Sequence, residues 1–454
     1  MENKTDKINI CVVGGGAAGM AAAIWAASEN TNVYILEAEE ITGKKILATG
    51  NGRCNLANAV LSSDKYNCED KSFVECVLDD FDEKDTVDFF NRMGIAVKNK
   101  NDYFYPESMQ ASNVRESMTG ILRLKGVNIF TNCKAEEIKV MENGDFNIFC
   151  SGMKSEKKVM YTADKVIVAL GSKAGIHNYY YENFRNSIVN LKIGFREYLP
   201  ALCGIKVGRT DTFFKNVSGV RTEIEAYSII EGISSESIRG ELQLTEYGLS
   251  GIVIFQLSSK ISRALFQKKK CKVVVDFLPD YNENTLAEFL TRQEFYEKKS
   301  ILDLFSGVLN KKLVTELIKM YSENVNKDIK AFTKGCSKMD LEDIIHYIKN
   351  VSFEIKGTKD YINAQVCSGG FDVSEIDRET MESKVIKNLY FAGECIDVDG
   401  QCGGYNLQWA WATGYLAGKS ASSRKDAQKW RIGVKKDSER ALFSHSYLLL
   451  SEGK

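Results

Sequence analysis

The chain has 454 residues, with 60 basic against 61 acidic, a formal charge of −1 and 44% hydrophobic residues. That length predicts two or three domains with ample cores, and the balanced charge argues against a nucleic-acid partner, which calls for a basic surplus. The 12 cysteines form no CxxC pair, so no metal site is expected, and scattered thiols in a chain this long point to a reduced, cytoplasmic protein.

Residues 8–27 carry no charge, as a signal or membrane segment would. Gly14-Gly15-Gly16 interrupts them where such a helix should run unbroken, so a β-turn-α unit is predicted, with no membrane partner. Residues 8–13 read as a buried strand, and GxGxxG follows at Gly14, Gly16 and Gly19, with Gly15, Ala17 and Ala18 between. The first glycine makes a tight turn, the second lets backbone approach a pyrophosphate, and the third admits close helix packing. Small residues through Ala27 form the helix whose N-terminus faces the phosphates. A second strand, 33–36, ends in Glu37, 18 residues beyond Gly19, placed to accept a ribose 2′-OH and favouring an adenosine without a 2′-phosphate.

Residues 166–170 read as a strand ending at Gly171. From 199 to 278 the pattern is β-rich: Val220, Thr222, Ile224 and Ala226 alternate with Arg221, Glu223 and Glu225. From 282 to 350 it turns helical, with Ile301, Leu304, Phe305, Leu309, Leu313, Leu317 and Ile318 at three/four spacing and Asp340 as a candidate cap. A late strand, 389–392, runs into Gly393-Glu394. Asp397 to Asn406 then includes Gly403-Gly404 and opens an apolar helix over 407–418. This second glycine turn before a helix is superfluous in an NAD dehydrogenase but suits FAD, which is long enough to need a second anchor. Trp409 and Trp411 read as core, and His177, His346 and His445 stand alone as surface or structural residues.

Gly43-Lys44-Lys45-Ile46-Leu47-Ala48-Thr49-Gly50-Asn51-Gly52-Arg53-Cys54-Asn55 resembles the GKKLLISGGGRCN signature of the BaiN/RdsA (YhiN-like) family of NAD(P)/FAD-dependent oxidoreductases. So do residues 380–384, the run from Leu389 to Gly418, and the central Gly240-Glu241-Leu242 and Gly248-Leu249-Ser250-Gly251. The resemblance implies an α/β fold: a discontinuous Rossmann-type FAD-binding domain with an inserted β-rich, barrel-like subdomain and a helical subdomain. The expected limits are 1–195 and 361–420 for the FAD domain, 196–280 with about 345–360 for the β part, 281–344 for the helical part, and a solvated appendage at 421–454. It implies that Gly14 to Gly19, Glu37 and Ala135 hold the ADP half. Lys45 and Gly50, Asn51, Gly52, Arg53, Cys54 and Asn55 would run along the flavin. Glu394 would bind the ribityl chain, and Gly404, Tyr405, Asn406 and Leu407 would offer N–H groups near the flavin pyrimidine edge, with Gly171, Gly393, Asp397 and Gly403 as further cofactor-binding residues.

The implied reaction takes hydride from a transiently bound NAD(P)H and passes it to a small organic substrate. A flavoprotein oxidase using oxygen and a non-catalytic redox sensor stay open as alternatives. Arg53 and Tyr405 are candidate catalytic groups because their motifs approach the flavin. Cys54 and Cys402 form a redox pair only if the fold brings them together.

Two places depart from the family pattern. Gly171-Ser172 stands where Gly-Gly is usual, and residues 178–184, Asn-Tyr-Tyr-Tyr-Glu-Asn-Phe, replace a glycine-rich turn; a repacked surface turn and a reshaped pocket mouth are both open. Glu246 stands where a histidine is expected.

Overall fold

The uncharged N-terminal stretch folds as a strand, a glycine turn and a helix. In the computed structural model, which describes residues 7–153, 155–175, 179–208, 212–328 and 337–423, the strand is Ile8–Val13 and the helix Ala17–Ala26. His177, Asn178, Cys336, His445 and residues 424–454 of the appendage lie outside the described residues.

The first strand is the centre of a five-stranded parallel sheet. Across the sheet the order is Leu389–Phe391, Lys165–Val168, Ile8–Val13, Thr31–Leu36 and Asn128–Phe130. The central strands are buried almost throughout, as parallel strands covered on both faces must be. A late strand thus completes a sheet begun nearly 400 residues earlier.

The last described helix, Tyr405–Ser422, lies against the first along a seam of small residues. A Cβ on Gly414 would stand 2.7 Å from the Ala18 carbonyl oxygen, and one on Gly418 would stand 2.3 Å from that of Ala22. Trp409 and Trp411 are buried in the core, and the Trp411 indole donates to Leu56 O at 3.0 Å.

The insertion is a closed antiparallel barrel of six strands: Ile205–Val207, Arg221–Ile230, Ile238–Thr245, Gly248–Ser250, Cys271–Asp276 and Val351–Thr358. Pairing of Arg221–Ile230 with Cys271–Asp276 closes it. Ile301, Leu304, Phe305, Leu313, Leu317 and Ile348 of the helical region join Ile205, Ile224 and Leu242 of the barrel in one apolar cluster. The ribbon of Phe195–Ala201 with Val366–Phe371 connects barrel to sheet.

One expected cap is corrected. The N-cap of helix Lys338–Lys349 is Ser337, whose Oγ accepts from Asp340 N at 3.1 Å; Asp340 sits a turn later and also receives Lys327 at 2.7 Å. A serine three residues before a carboxylate is the better cap because its short side chain reaches forward to the free N–H of the first turn. No helix among the described residues is long and apolar enough to cross a membrane.

Candidate functional site

The carboxyl ends of four adjacent parallel strands carry the sequence motifs in a row. In sheet order these are Gly393-Glu394, Gly171-Ser172, Gly14-Gly15-Gly16 and Glu37. Strand order reverses beside the central strand, and crevices at such a reversal are where open α/β sheets bind ligands.

Gly14 takes φ +102°, and a Cβ there would lie 2.2 Å from the Ala169 carbonyl oxygen, so the turn needs glycine. At Gly16, the N-cap of the first helix, a Cβ would meet nothing within 4 Å, and no side chain caps that helix. The first-turn N–H groups are therefore left to an external acceptor.

Glu37 is buried at the next strand end. Its Oε2 accepts from Gly15 N at 2.6 Å, while Oε1 accepts from Glu39 N at 2.8 Å and from the Tyr181 hydroxyl at 3.4 Å. Burial pushes its carboxyl above the ordinary range, and the two backbone N–H groups oppose that shift. Cys133 N donates to Glu37 O at 2.9 Å, which brings the strand bearing the buried Ala135 alongside.

On the other side of the turn, Gly393 lies so close to the first helix that a Cβ would stand 2.6 Å from that of Ala18. Glu394 Oε2 pairs with Lys45 Nζ at 2.8 Å; Oε1 accepts from Ser172 Oγ at 2.5 Å and Cys367 N at 3.1 Å. Lys45 is the second residue of the 3₁₀ segment Lys44–Gly52, in which Gly50, Asn51 and Gly52 have positive φ. Gly50, Asn51, Gly52 and Arg53 are exposed, whereas Cys54 is buried and its thiol is pushed up to about 12 by that burial. With its amide nitrogen turned toward Ala57 O and Phe104 O, Asn55 accepts from Gly404 N at 3.2 Å, so this loop touches the late glycine turn.

Gly404, at φ +97°, is the N-cap of the last helix, which again has no side-chain cap. A Cβ there would lie 2.6 Å from Ala57 O. Asn406 braces the turn by exchanging hydrogen bonds with Gly400 N and O, both at 2.8 Å, and the Asn58 amide donates to Gly403 O at 3.0 Å. Tyr405 donates to Val60 O at 3.1 Å, and Leu407 lies half-buried in the first turn. Cys402 is a thiol, as is every cysteine among the described residues.

Asp397, itself buried, is turned toward two half-exposed arginines. Its Oδ1 accepts from Gly369 N at 3.0 Å and Arg263 Nη2 at 3.1 Å, and its Oδ2 pairs with Arg196 at 3.3 Å. Arg263 belongs to helix Ile252–Phe266 of the insertion, so the pair fastens the barrel to the late strand. Ser172, Tyr181, Arg196 and Arg263 all escaped the sequence reading as site residues. Only the first two carried a signal, by lying in the segment that departs from the family pattern.

Residues 8–420 match the description HI0933-like protein Rossmann domain. The chain belongs to the HI0933-like Rossmann family. It is 37% identical, over 91% of its length and 99% of the relative, to the 3-dehydro-bile acid delta(4,6)-reductase of Clostridium scindens. It is 26% identical, over 90% and 98%, to the ribosomal RNA dihydrouridine synthase of Haemophilus influenzae. Among solved structures, the 3-ketosteroid-delta4-(5alpha)-dehydrogenase of Rhodococcus jostii is matched at 14% identity over 93% of this chain and 99% of that one, with a TM-score of 0.42. As a member of this family, with a reductase among its relatives, the chain is an oxidoreductase.

Proposed function

We propose that this protein is an FAD-dependent reductase that takes hydride from NADH or NADPH and saturates a C=C bond conjugated to a carbonyl. The observation that carries it is the row of strand ends: two glycine-started helices without side-chain caps, with Glu37 near one and Glu394 between them. These residues fit an elongated dinucleotide. Gly16 leaves open space beside free N–H groups for a pyrophosphate, and Glu37 is an acceptor for the adenosine ribose. Glu394, braced by Lys45 and Ser172, is an acceptor for the ribityl chain, and the N–H groups of Tyr405, Asn406 and Leu407 face the flavin edge.

When bound, FAD supplies a two-electron store that accepts hydride from the nicotinamide and returns it to the β-carbon of the substrate, the α-carbon taking a proton. The chain's own contribution is placement and electrostatics. The positive end of the last helix favours negative charge at the flavin edge. Arg53, exposed beside Tyr105, is the side chain free to meet substrate, whereas Tyr405 is buried with its hydroxyl on Val60 O. The chain has a single GxGxxG, so the nicotinamide visits transiently. Free thiols suit a cytoplasmic setting.

Both relatives' names denote a saturated C=C: a steroid ring bond in one, the uracil ring of an RNA in the other. The near-zero charge favours the small molecule; the second name favours an RNA uridine. The test is anaerobic titration of the purified yellow protein with NADH and NADPH, followed by a 3-oxo-4,6-diene bile acid and a ribosomal RNA transcript. Rapid bleaching, and recolouring by the bile acid, is expected. Recolouring only by RNA selects the second substrate, and failure to bleach with either donor overturns the proposed reaction.

A further inference from the structure

We propose that Ser172 and Tyr181 are positioning residues for FAD, each turning a hydroxyl proton onto one of the two carboxylates, Glu394 and Glu37, that flank the phosphate loop. This rests on the assignment of those carboxylates under the proposed function. Both residues lie in the stretch that departs from the family pattern, and neither is on the surface: Ser172 is 5% and Tyr181 7% exposed. Both hydroxyls therefore act inside the protein.

The two hydroxyls are used in the same way. Ser172 Oγ accepts a backbone N–H from Ala174 at 3.1 Å, and the Tyr181 oxygen accepts one from Ala38 at 3.1 Å. With an acceptor lone pair engaged, each hydroxyl has its proton to give, and the carboxylate is the acceptor in reach: Glu394 Oε1 at 2.5 Å, Glu37 Oε1 at 3.4 Å. A second backbone donor reaches the same oxygen in each case, Cys367 N for Glu394 and Glu39 N for Glu37.

Oε1 of each carboxylate is thereby fixed by protein. Oε2 of each faces the cofactor loops, toward Lys45 in one case and Gly15 N in the other. An acceptor already oriented loses no rotamer freedom when a ribose or ribityl hydroxyl arrives, which is where affinity is gained. The strand ends bearing the two carboxylates are three strands apart in the sheet, about 14 Å at ordinary strand spacing. Ser172 and Tyr181 therefore serve opposite ends of an elongated ligand.

The test uses apoprotein stripped of flavin, with FAD affinity read by quenching of flavin fluorescence and ADP affinity by competition. Tyr181→Phe and Ser172→Ala should each weaken FAD about tenfold, the size expected for one hydrogen bond to a charged acceptor. Tyr181→Phe should weaken ADP by the same factor, whereas Ser172→Ala should leave ADP within about twofold, because its carboxylate serves the flavin half. Ser172→Thr, which keeps the hydroxyl, should restore FAD binding. Circular dichroism confirms that each variant is folded. Wild-type protein that binds FAD while either the Tyr181→Phe or the Ser172→Ala variant stays within about twofold, or an ADP loss shared equally by both, overturns the inference alone. Wild-type protein that takes up no FAD overturns the proposed function and this inference with it.

Discussion

Lys45 Nζ stands 2.8 Å from Glu394 Oε2 across 349 residues of sequence, tying the loop after Gly43 to the last strand end of the sheet. Lys45 is 40% exposed, so the pair itself contributes under about 1 kcal/mol to stability. Its consequence lies in binding. Glu394→Gln, whose amide nitrogen must face a donor on one side, should weaken FAD by about tenfold or more while the apoprotein stays folded, at a cost of about 1–3 kcal/mol. Flavin retained through gel filtration as in the wild type would refute the role given to Glu394.

Two glycines of similar appearance in the sequence should behave oppositely. Gly418→Ala forces a Cβ to 2.3 Å from Ala22 O and 3.0 Å from Trp25 Cβ, a backbone contact that cannot yield easily. A loss of about 1–3 kcal/mol is expected in denaturant unfolding. Gly16→Ala meets no protein atom within 4 Å; it should cost under about 1 kcal/mol of stability yet impair FAD uptake by filling the open side of the phosphate turn.

The two buried tryptophans of the last helix can be separated by their indole N–H groups. Trp411 donates to Leu56 O at 3.0 Å, whereas the Trp409 N–H has no partner. Trp411→Phe strands a buried carbonyl and should cost about 1–3 kcal/mol more than its volume change alone, while Trp409→Phe bears only the volume term. Equal losses in urea unfolding would contradict this.

Burial pushes the thiols of Cys54 and Cys402 up to about 12. The sign is that of any buried acid: the neutral form is favoured, so at pH 8 the reactive thiolate is only about one part in 10⁴. Iodoacetamide should spare both in the native protein at pH 8, with labelling rising about tenfold per pH unit. Rapid modification of either, located by peptide mass spectrometry, would contradict this.

Much of the fold was legible because its determinants are local. A strand, Gly14-Gly15-Gly16 and a run of alanines can fold in few other ways, since Gly14 adopts a backbone angle that side chains disfavour and Gly19 packs where a Cβ would touch Gly14 O at 1.9 Å. Period-two alternation marked Arg221–Ile230, and three/four spacing marked residues that are buried in the barrel's core. Local signals failed at finer scale. Asp340 looked like a cap until Ser337 proved closer to the free N–H, and nothing in the run 178–184 marked Tyr181 as the buried member that reaches Glu37.

By itself the sequence determined the two glycine turns, the helices they open and the acids that follow the strands, because backbone angles and residue size act between neighbours in the chain. Only the tertiary structure decided what those acids meet. Tyr181 reaches Glu37 across 144 residues and Ser172 reaches Glu394 across 222, and Asp397 turns from the cofactor loop into the Arg263 and Arg196 pairs. Those meetings follow from the strand order of the sheet and the path of the inserted barrel. No local pattern encodes either, because a side chain's partner is chosen by what the fold packs beside it.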